Sequence, residues 1–210
     1  MRTLAANVLR AHGLKCVRGG AELFADLGFS IGSGETLVVK GDNGSGKTSL
    51  LRIICGFNHP AEGDVTWCDT SIFKHENFRQ QVSYVGHKSG VKLDLTVLEN
   101  FQFMQRLAGV NDNESEIKEV ARAAGLYRQR NVLTRNLSAG QKRRVALAKL
   151  QLEQRMIWVL DEPLTALDKE FVRKFELDLK NHLDRQGILV VTTHRELKLP
   201  EHRVKRITLA

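Results

Sequence analysis

A chain of 210 residues, 42% hydrophobic and 27% charged, fits one globular domain large enough to bury about 70% of its unfolded surface. No apolar run approaches the roughly 18 residues that span a bilayer, which excludes a membrane-crossing helix. The net charge of +8 is spread along the chain and the aromatic content is only 6%, so a solvated basic surface is expected rather than a nucleic-acid interface.

Arg2 and Arg10 precede the first acidic residue, Glu22, as in a transit peptide. The apolar region of a secretory signal is missing, so the segment is read as the start of the mature domain. In chain order, Val8 to Val17, Leu27 to Ile31 and Thr36 to Lys40 have strand character. A glycine-rich loop, Gly41 to Gly46, leads into a helix over Lys47 to Cys55. Short strands are expected at Val65 to Cys68 and Val82 to Val85. Val97 to Leu107, Glu114 to Ala124 and Ser138 to Leu152 then follow at helical period. Strand character returns at Ile157 to Leu160 and Leu189 to Thr193, on either side of a helix from Lys169 to Arg185. Strands alternating with helices predict an α/β fold with a mostly parallel sheet covered on both faces. The helical block, about residues 88–152, is expected to form a lobe within this single domain of residues 1–210. Cys16, Cys55 and Cys68 are odd in number and lack ligand spacing, so they read as thiols of a reducing compartment.

Gly41-Asp42-Asn43-Gly44-Ser45-Gly46-Lys47-Thr48 fills every fixed position of the P-loop pattern, between an apolar strand and a helix. Its glycines let successive backbone N–H groups curl around phosphate oxygens, and the following helix adds the positive end of its dipole. Lys47 is expected on the β- and γ-phosphates and Thr48 on Mg²⁺, with Ser49 continuing the nucleotide-binding segment. The apolar strand Ile157 to Leu160 ends in Asp161 and Glu162. Ligands sit beyond the carboxyl ends of parallel strands, so Asp161 is expected to hold Mg²⁺ and Glu162 to take a proton from an attacking water.

Leu137-Ser138-Ala139-Gly140-Gln141 by itself is a capped helix start. Placed between a P-loop and an Asp-Glu strand end, it makes the chain resemble the ATP-binding cassette family from Leu14 to Leu209. The resemblance implies a P-loop NTPase core with an antiparallel β edge and a helical subdomain. It also implies ATP and Mg²⁺ as ligands, and a head-to-tail dimer in which Ser138, Ala139, Gly140 and Gln141 meet the nucleotide held by the other copy. By the same resemblance, Leu167-Asp168 looks like the D-loop and His194 like the switch histidine that contacts the γ-phosphate.

Three positions depart from the family pattern. Arg18 stands where an aromatic residue stacks on adenine, and its guanidinium plane can replace that contact. Ala139 replaces a glycine of the signature. Gly86-His87 replaces the usual sensor glutamine, which gives His87 that place in the catalytic set. The run from Gly86 through Lys92, with Trp158 to Pro163 and the short end at Leu209, is similar to the ATP-binding subunit of the haem exporter in cytochrome c maturation. That similarity implies an ATP hydrolase docked on membrane subunits of separate chains, peripheral at the cytoplasmic face of a bacterial inner membrane or its mitochondrial equivalent. With no Cys-x-x-Cys-His motif, covalent haem attachment is unsupported. His87 reads as a polar sensor rather than an iron ligand and Cys16 and Cys68 offer no haem pocket, so direct haem binding is not expected. Two alternatives stay open: the motor of a different importer or exporter, and a soluble cassette protein acting on nucleic acid or the ribosome. The second usually carries two cassettes or a long coiled coil, and the stretch of about 90 residues from P-loop to signature has no sustained heptads.

Overall fold

The computed structural model describes residues 7–109 and 113–209, so Arg2 lies outside the described residues. In chain order the elements are β1 (Val8–Arg18), β2 (Ala21–Gly32), β3 (Thr36–Gly41), α1 (Lys47–Ile54), β4 (Glu62–Trp67), β5 (Thr70–Ser71) and β6 (Val82–Val85). They continue with α2 (Val97–Ala108), α3 (Glu114–Ala123), α4 (Ala139–Glu153), β7 (Ile157–Asp161), α5 (Lys169–Asp184), β8 (Ile188–Thr192) and β9 (Val204–Leu209). One sheet is antiparallel, in the order β2-β1-β4-β5; the other is parallel, in the order β6-β7-β8-β3-β9.

The central parallel strands β7 and β8 are apolar up to their last residue because both faces are covered. Ile157 and Val159 of β7, Ile188 and Val190 of β8, and Leu37 and Val39 of β3 pack toward α1 and the antiparallel sheet. Their alternates Trp158, Leu160, Leu189, Val191 and Val38 pack instead against α4 and α5, where Phe175, Leu179 and Leu183 meet them. Each fully buried Leu, Ile or Val contributes about 1.5–3 kcal/mol, so these two layers dominate the stability of the core.

The helical subdomain has an apolar cluster of its own. Val97 and Phe101 of α2, Ile117 and Val120 of α3, and Val145, Ala148 and Leu152 of α4 fill it. On the same helix α4, Leu147 and Leu150 belong to the sheet layer, so α4 is a wall shared by subdomain and core. A capping box starts α2: Glu99 N–H donates to Thr96 Oγ1 at 3.2 Å, and Thr96 N–H donates to the Glu99 carboxylate at 2.7 Å. Buried Asn100 then ties the segment after β6 to this subdomain. Its side-chain amide donates to Lys92 O at 2.9 Å and Thr134 Oγ1 at 2.9 Å, and accepts from Lys92 N–H at 2.8 Å.

The strands extend further than their apolar signal. β2 begins at Ala21 rather than Leu27, because it is an edge strand whose exposed face carries Glu22 and Asp26. β9 pairs in parallel with β3 although Lys205 and Arg206 interrupt its apolar pattern; it too is an edge.

Candidate functional site

Strands β6, β7, β8 and β3 lie side by side and all release the chain at their carboxyl ends, so one edge of the sheet receives four loops. β3 delivers the glycine-rich loop, β6 delivers Gly86-His87, β7 ends on Asp161 before Glu162, and β8 leads to Thr193-His194. A cavity of about 600 Å³ opens there. From the glycine-rich segment it is lined by Asn43, Gly44, Gly46, Lys47, Thr48 and Ser49, and from the other loops by His87, Asp161, Glu162 and His194. Arg18, at the end of β1, lines the same cavity beside Leu23 of β2.

Gly46 begins α1 at a left-handed φ of 95°. A Cβ placed there would stand 3.1 Å from Leu23 Cβ and 3.2 Å from Phe24 Cδ1, so β2 covers the loop too closely for a side chain. Lys47 Nζ donates to Gly41 O and to Asp42 O, both at 2.7 Å, which folds its ammonium back over the loop.

Asp161 is 3% exposed, and each of its oxygens accepts a hydroxyl. Thr48 Oγ1 donates to Oδ2 at 2.7 Å and Thr192 Oγ1 donates to Oδ1 at 2.8 Å, so the carboxylate fastens the start of α1 to the end of β8. Glu162 follows in the left-handed region, with φ of 48°. Its N–H donates to Thr192 Oγ1 at 2.9 Å and to Thr192 O at 3.2 Å. Its Oε1 is buried without a hydrogen-bond partner, and His194 Nε2 lies 3.4 Å away. A carboxylate oxygen left unbonded at the wall of a polar cavity is chemically equipped to accept a proton. Tyr84 of β6 is pushed up to about 12, first by its burial and then by the charge of Asp161, so its phenol stays neutral.

Thr48 and Asp161 together offer a hydroxyl and a carboxylate, hard oxygen donors of the kind that bind Mg²⁺ along with substrate phosphates. Among the described residues no group of three or more His, Cys, Asp or Glu side chains is arranged to hold a metal ion by itself.

Gly41, Asp42 and Ser45 belong to the loop without lining the cavity. The signature residues Ser138, Ala139, Gly140 and Gln141 are not brought into it either. Ser138 caps α4, with Gln141 N–H donating to Ser138 Oγ at 3.2 Å and Ser138 N–H donating to Gln141 Oε1 at 2.9 Å. Gly140 is pressed on the loop after β7: a Cβ there would lie 2.6 Å from Ala166 O. Asp168 caps α5 by accepting from Phe171 N–H at 2.9 Å and pairs with Arg144. That capping amide, ahead of Arg144, holds its carboxyl below the usual range. Thr192, Leu23 and Thr165 were not singled out from sequence. Thr192 alone left a signal, a hydroxyl at the end of an apolar strand. A larger cleft of about 760 Å³ lies between α3, α4 and α5 and holds none of the loop residues; chemistry, not size, selects the site.

The ABC transporter family matches residues 24–165. The cytochrome c biogenesis ATP-binding export protein CcmA of Nitrosomonas europaea is 41% identical over 205 residues, covering 97% of this chain and 96% of that protein. The protein of the same name from Haemophilus influenzae is 39% identical, covering 96% and 95%. Among solved structures, one described as an ABC transporter ATP-binding protein of Pyrococcus furiosus is similar with a TM-score of 0.82 at 24% identity, covering 96% of this chain and 97% of that one. A dimeric ATP-binding cassette in a post-hydrolysis state, bound to ADP and Pi, is similar with a TM-score of 0.77 at 24% identity, covering 89% and 88%. At that identity these two structures speak for the fold. With the family match and the near-full-length relatives, this chain belongs to the ABC transporter family, in its branch of cytochrome c biogenesis ATP-binding export proteins.

Proposed function

We propose that the protein hydrolyses ATP to energise export or release of haem for cytochrome c maturation, through membrane subunits on separate chains. The observation that carries the chemistry is the Asp161 carboxylate joined to Thr48 of the P-loop, with Glu162 and His194 beside it. Backbone N–H groups of residues 41 to 48 cradle the phosphates and Lys47 neutralises the β- and γ-oxygens. Thr48 and Asp161 hold Mg²⁺, which supplies charge neutralisation on the phosphates when bound. Glu162 accepts the proton of the attacking water, its free oxygen being oriented by the Thr192 contacts to its backbone. His194 meets the γ-phosphate and His87 senses it from the neighbouring strand end. Arg18, with Leu23 beside it, forms the platform for the base.

Ser138, Ala139, Gly140 and Gln141 lie at a helix N-terminus outside the cavity, which fits a second copy supplying them in a head-to-tail dimer closed by ATP. Asp168 borders that contact. No helix among the described residues is long and apolar enough to cross a membrane. By its family the subunit is read as docking peripherally on its membrane partners, at the cytoplasmic face of the inner membrane or its mitochondrial equivalent. The pathway is tested by affinity purification of the tagged chain from gently solubilised native membranes. Cytochrome c maturation membrane subunits are expected in the eluate. A different permease would keep the motor and replace the pathway; ribosomes or DNA without a membrane partner would contradict the transport reading.

A further inference from the structure

Arg143 lies on α4, five residues after the Ser138 cap, or about 7.5 Å along the helix. It is 5% exposed, and its guanidinium is spent on backbone carbonyls rather than on a carboxylate. Nε donates to Pro163 O at 3.2 Å, Nη1 to Gly86 O at 2.7 Å, and Nη2 to both Asp161 O at 2.9 Å and Glu162 O at 2.8 Å. One side chain of the signature helix therefore binds the end of β7 and the loop after β6, next to the residues assigned as metal carboxylate, base and sensor. Glu162 is gripped from both sides: its N–H by Thr192 and its C=O by Arg143, with φ held at 48° between them. Such a conformation costs a non-glycine residue free energy and persists only where neighbours over-determine it.

We propose that Arg143 is a positioning residue for hydrolysis, which holds the backbone of Glu162 and keeps the base in register with the start of α4. The geometry requires arginine. A planar fork can reach carbonyls of Gly86, Asp161, Glu162 and Pro163 at once, whereas a lysine ammonium, a point with three donors, cannot span them. Burial lowers the basicity of the guanidinium while the charges of Asp161 and Glu162 oppose that loss, and the group remains a cation. Because α4 also carries the signature residues and is the wall shared with the helical subdomain, a shift of that subdomain is transmitted to Glu162 through this side chain.

The proposal rests on Glu162 acting as the base, and the experiment separates the two. Arg143→Lys, Arg143→Gln, Glu162→Gln and the double variant Arg143→Lys/Glu162→Gln are compared in the full chain co-purified with its membrane subunits. Nucleotide affinity, kcat and thermal unfolding are measured for each. The expected result for Arg143→Lys is a kcat lowered at least tenfold with ATP affinity within threefold of the parent. In the Glu162→Gln background the same change should lower the residual rate by less than twofold, since Arg143 acts through Glu162. A merely structural arginine would give equal, multiplying losses in both backgrounds and would overturn the proposal. So would full kcat in both Arg143→Lys and Arg143→Gln, or loss of kcat only in step with lost affinity and unfolding in both. Should Glu162→Gln itself retain full turnover, the assignment of the base fails and the proposal falls with it.

Discussion

Lys47→Met separates the part this residue plays in the fold from its part in binding. Methionine keeps the apolar stem of the side chain and removes the ammonium, which donates to Gly41 O and Asp42 O, both at 2.7 Å. Gly41 is half-buried and Asp42 exposed, so water can satisfy both carbonyls once the lysine is gone. A net hydrogen bond contributes about 0.5–1.5 kcal/mol, and with water replacing it the stability should fall by no more than about 1 kcal/mol. A charge-assisted bond to phosphate is stronger, about 1.5–3 kcal/mol, which weakens nucleotide binding by roughly ten- to a hundred-and-fiftyfold. Equilibrium binding of ATP to the variant, beside denaturant unfolding without nucleotide, reads the two quantities separately. Unchanged affinity would remove Lys47 from the nucleotide site. A stability loss as large as the binding loss would make it a brace of the loop instead.

Gly140→Ala drives a methyl against the Ala166 carbonyl, so α4 or the loop after β7 must give way. Overpacking of this kind costs about 1–3 kcal/mol, seen as a lower Tm, and hydrolysis should fall while ATP affinity of the single chain is kept. Arg18→Ala should weaken ATP binding only about two- to fivefold, the value of one partly exposed guanidinium–ring contact of about 0.5–1 kcal/mol; an unchanged dissociation constant would take the base off this arginine. His182 stacks on Trp158 at 3.9 Å with its Nε2 3.2 Å from Ile188 O, and burial pushes its pKa down to about 4. Its folded pKa lies below the unfolded value of about 6.5, so the unfolded chain binds more protons in between. The contribution is then complete above pH 6.5 and lost as pH falls toward 4, by at most about 3 kcal/mol. Denaturant unfolding of the parent and His182→Phe at pH 7 and pH 5 checks this, the variant being expected to lose this share of the pH dependence.

The glycine-rich loop and the Asp161–Glu162 pair that share the cavity were legible because each is local in sequence. A P-loop is eight consecutive residues, and an Asp-Glu pair after a fully apolar strand marks a carboxyl strand end in a parallel sheet. β7 and β8 were visible for the same reason: both faces are buried, so the apolar runs are unbroken. Edge elements were the weak point. The first half of β2 carries Glu22 and Asp26, and β9 carries Lys205 and Arg206, at exposed positions, and their strand character comes from pairing with β1 and β3. Arg143 was visible only as one more basic residue in a basic helix. Its function depends on carbonyls 18 to 57 positions away in the chain, and no sequence period encodes a bond to a backbone oxygen. Asn100 was hidden likewise, since its partners Lys92 and Thr134 come together only once the subdomain has folded.

ATP turnover by the Glu162→Gln variant, assembled with its membrane subunits, tests the central claim most directly, with ATP binding measured on the same preparation. The carboxylate is replaced by an amide of the same shape, so the phosphate cradle, the Thr48–Asp161 contact and the Thr192 bonds to the Glu162 backbone are preserved. Loss of the general base predicts hydrolysis slower by roughly 10²–10⁴-fold, with ATP affinity intact and a dimer that stays closed on ATP. Full hydrolysis would show that the proton goes elsewhere and that the geometry around Asp161 and Glu162 has been assigned the wrong chemistry.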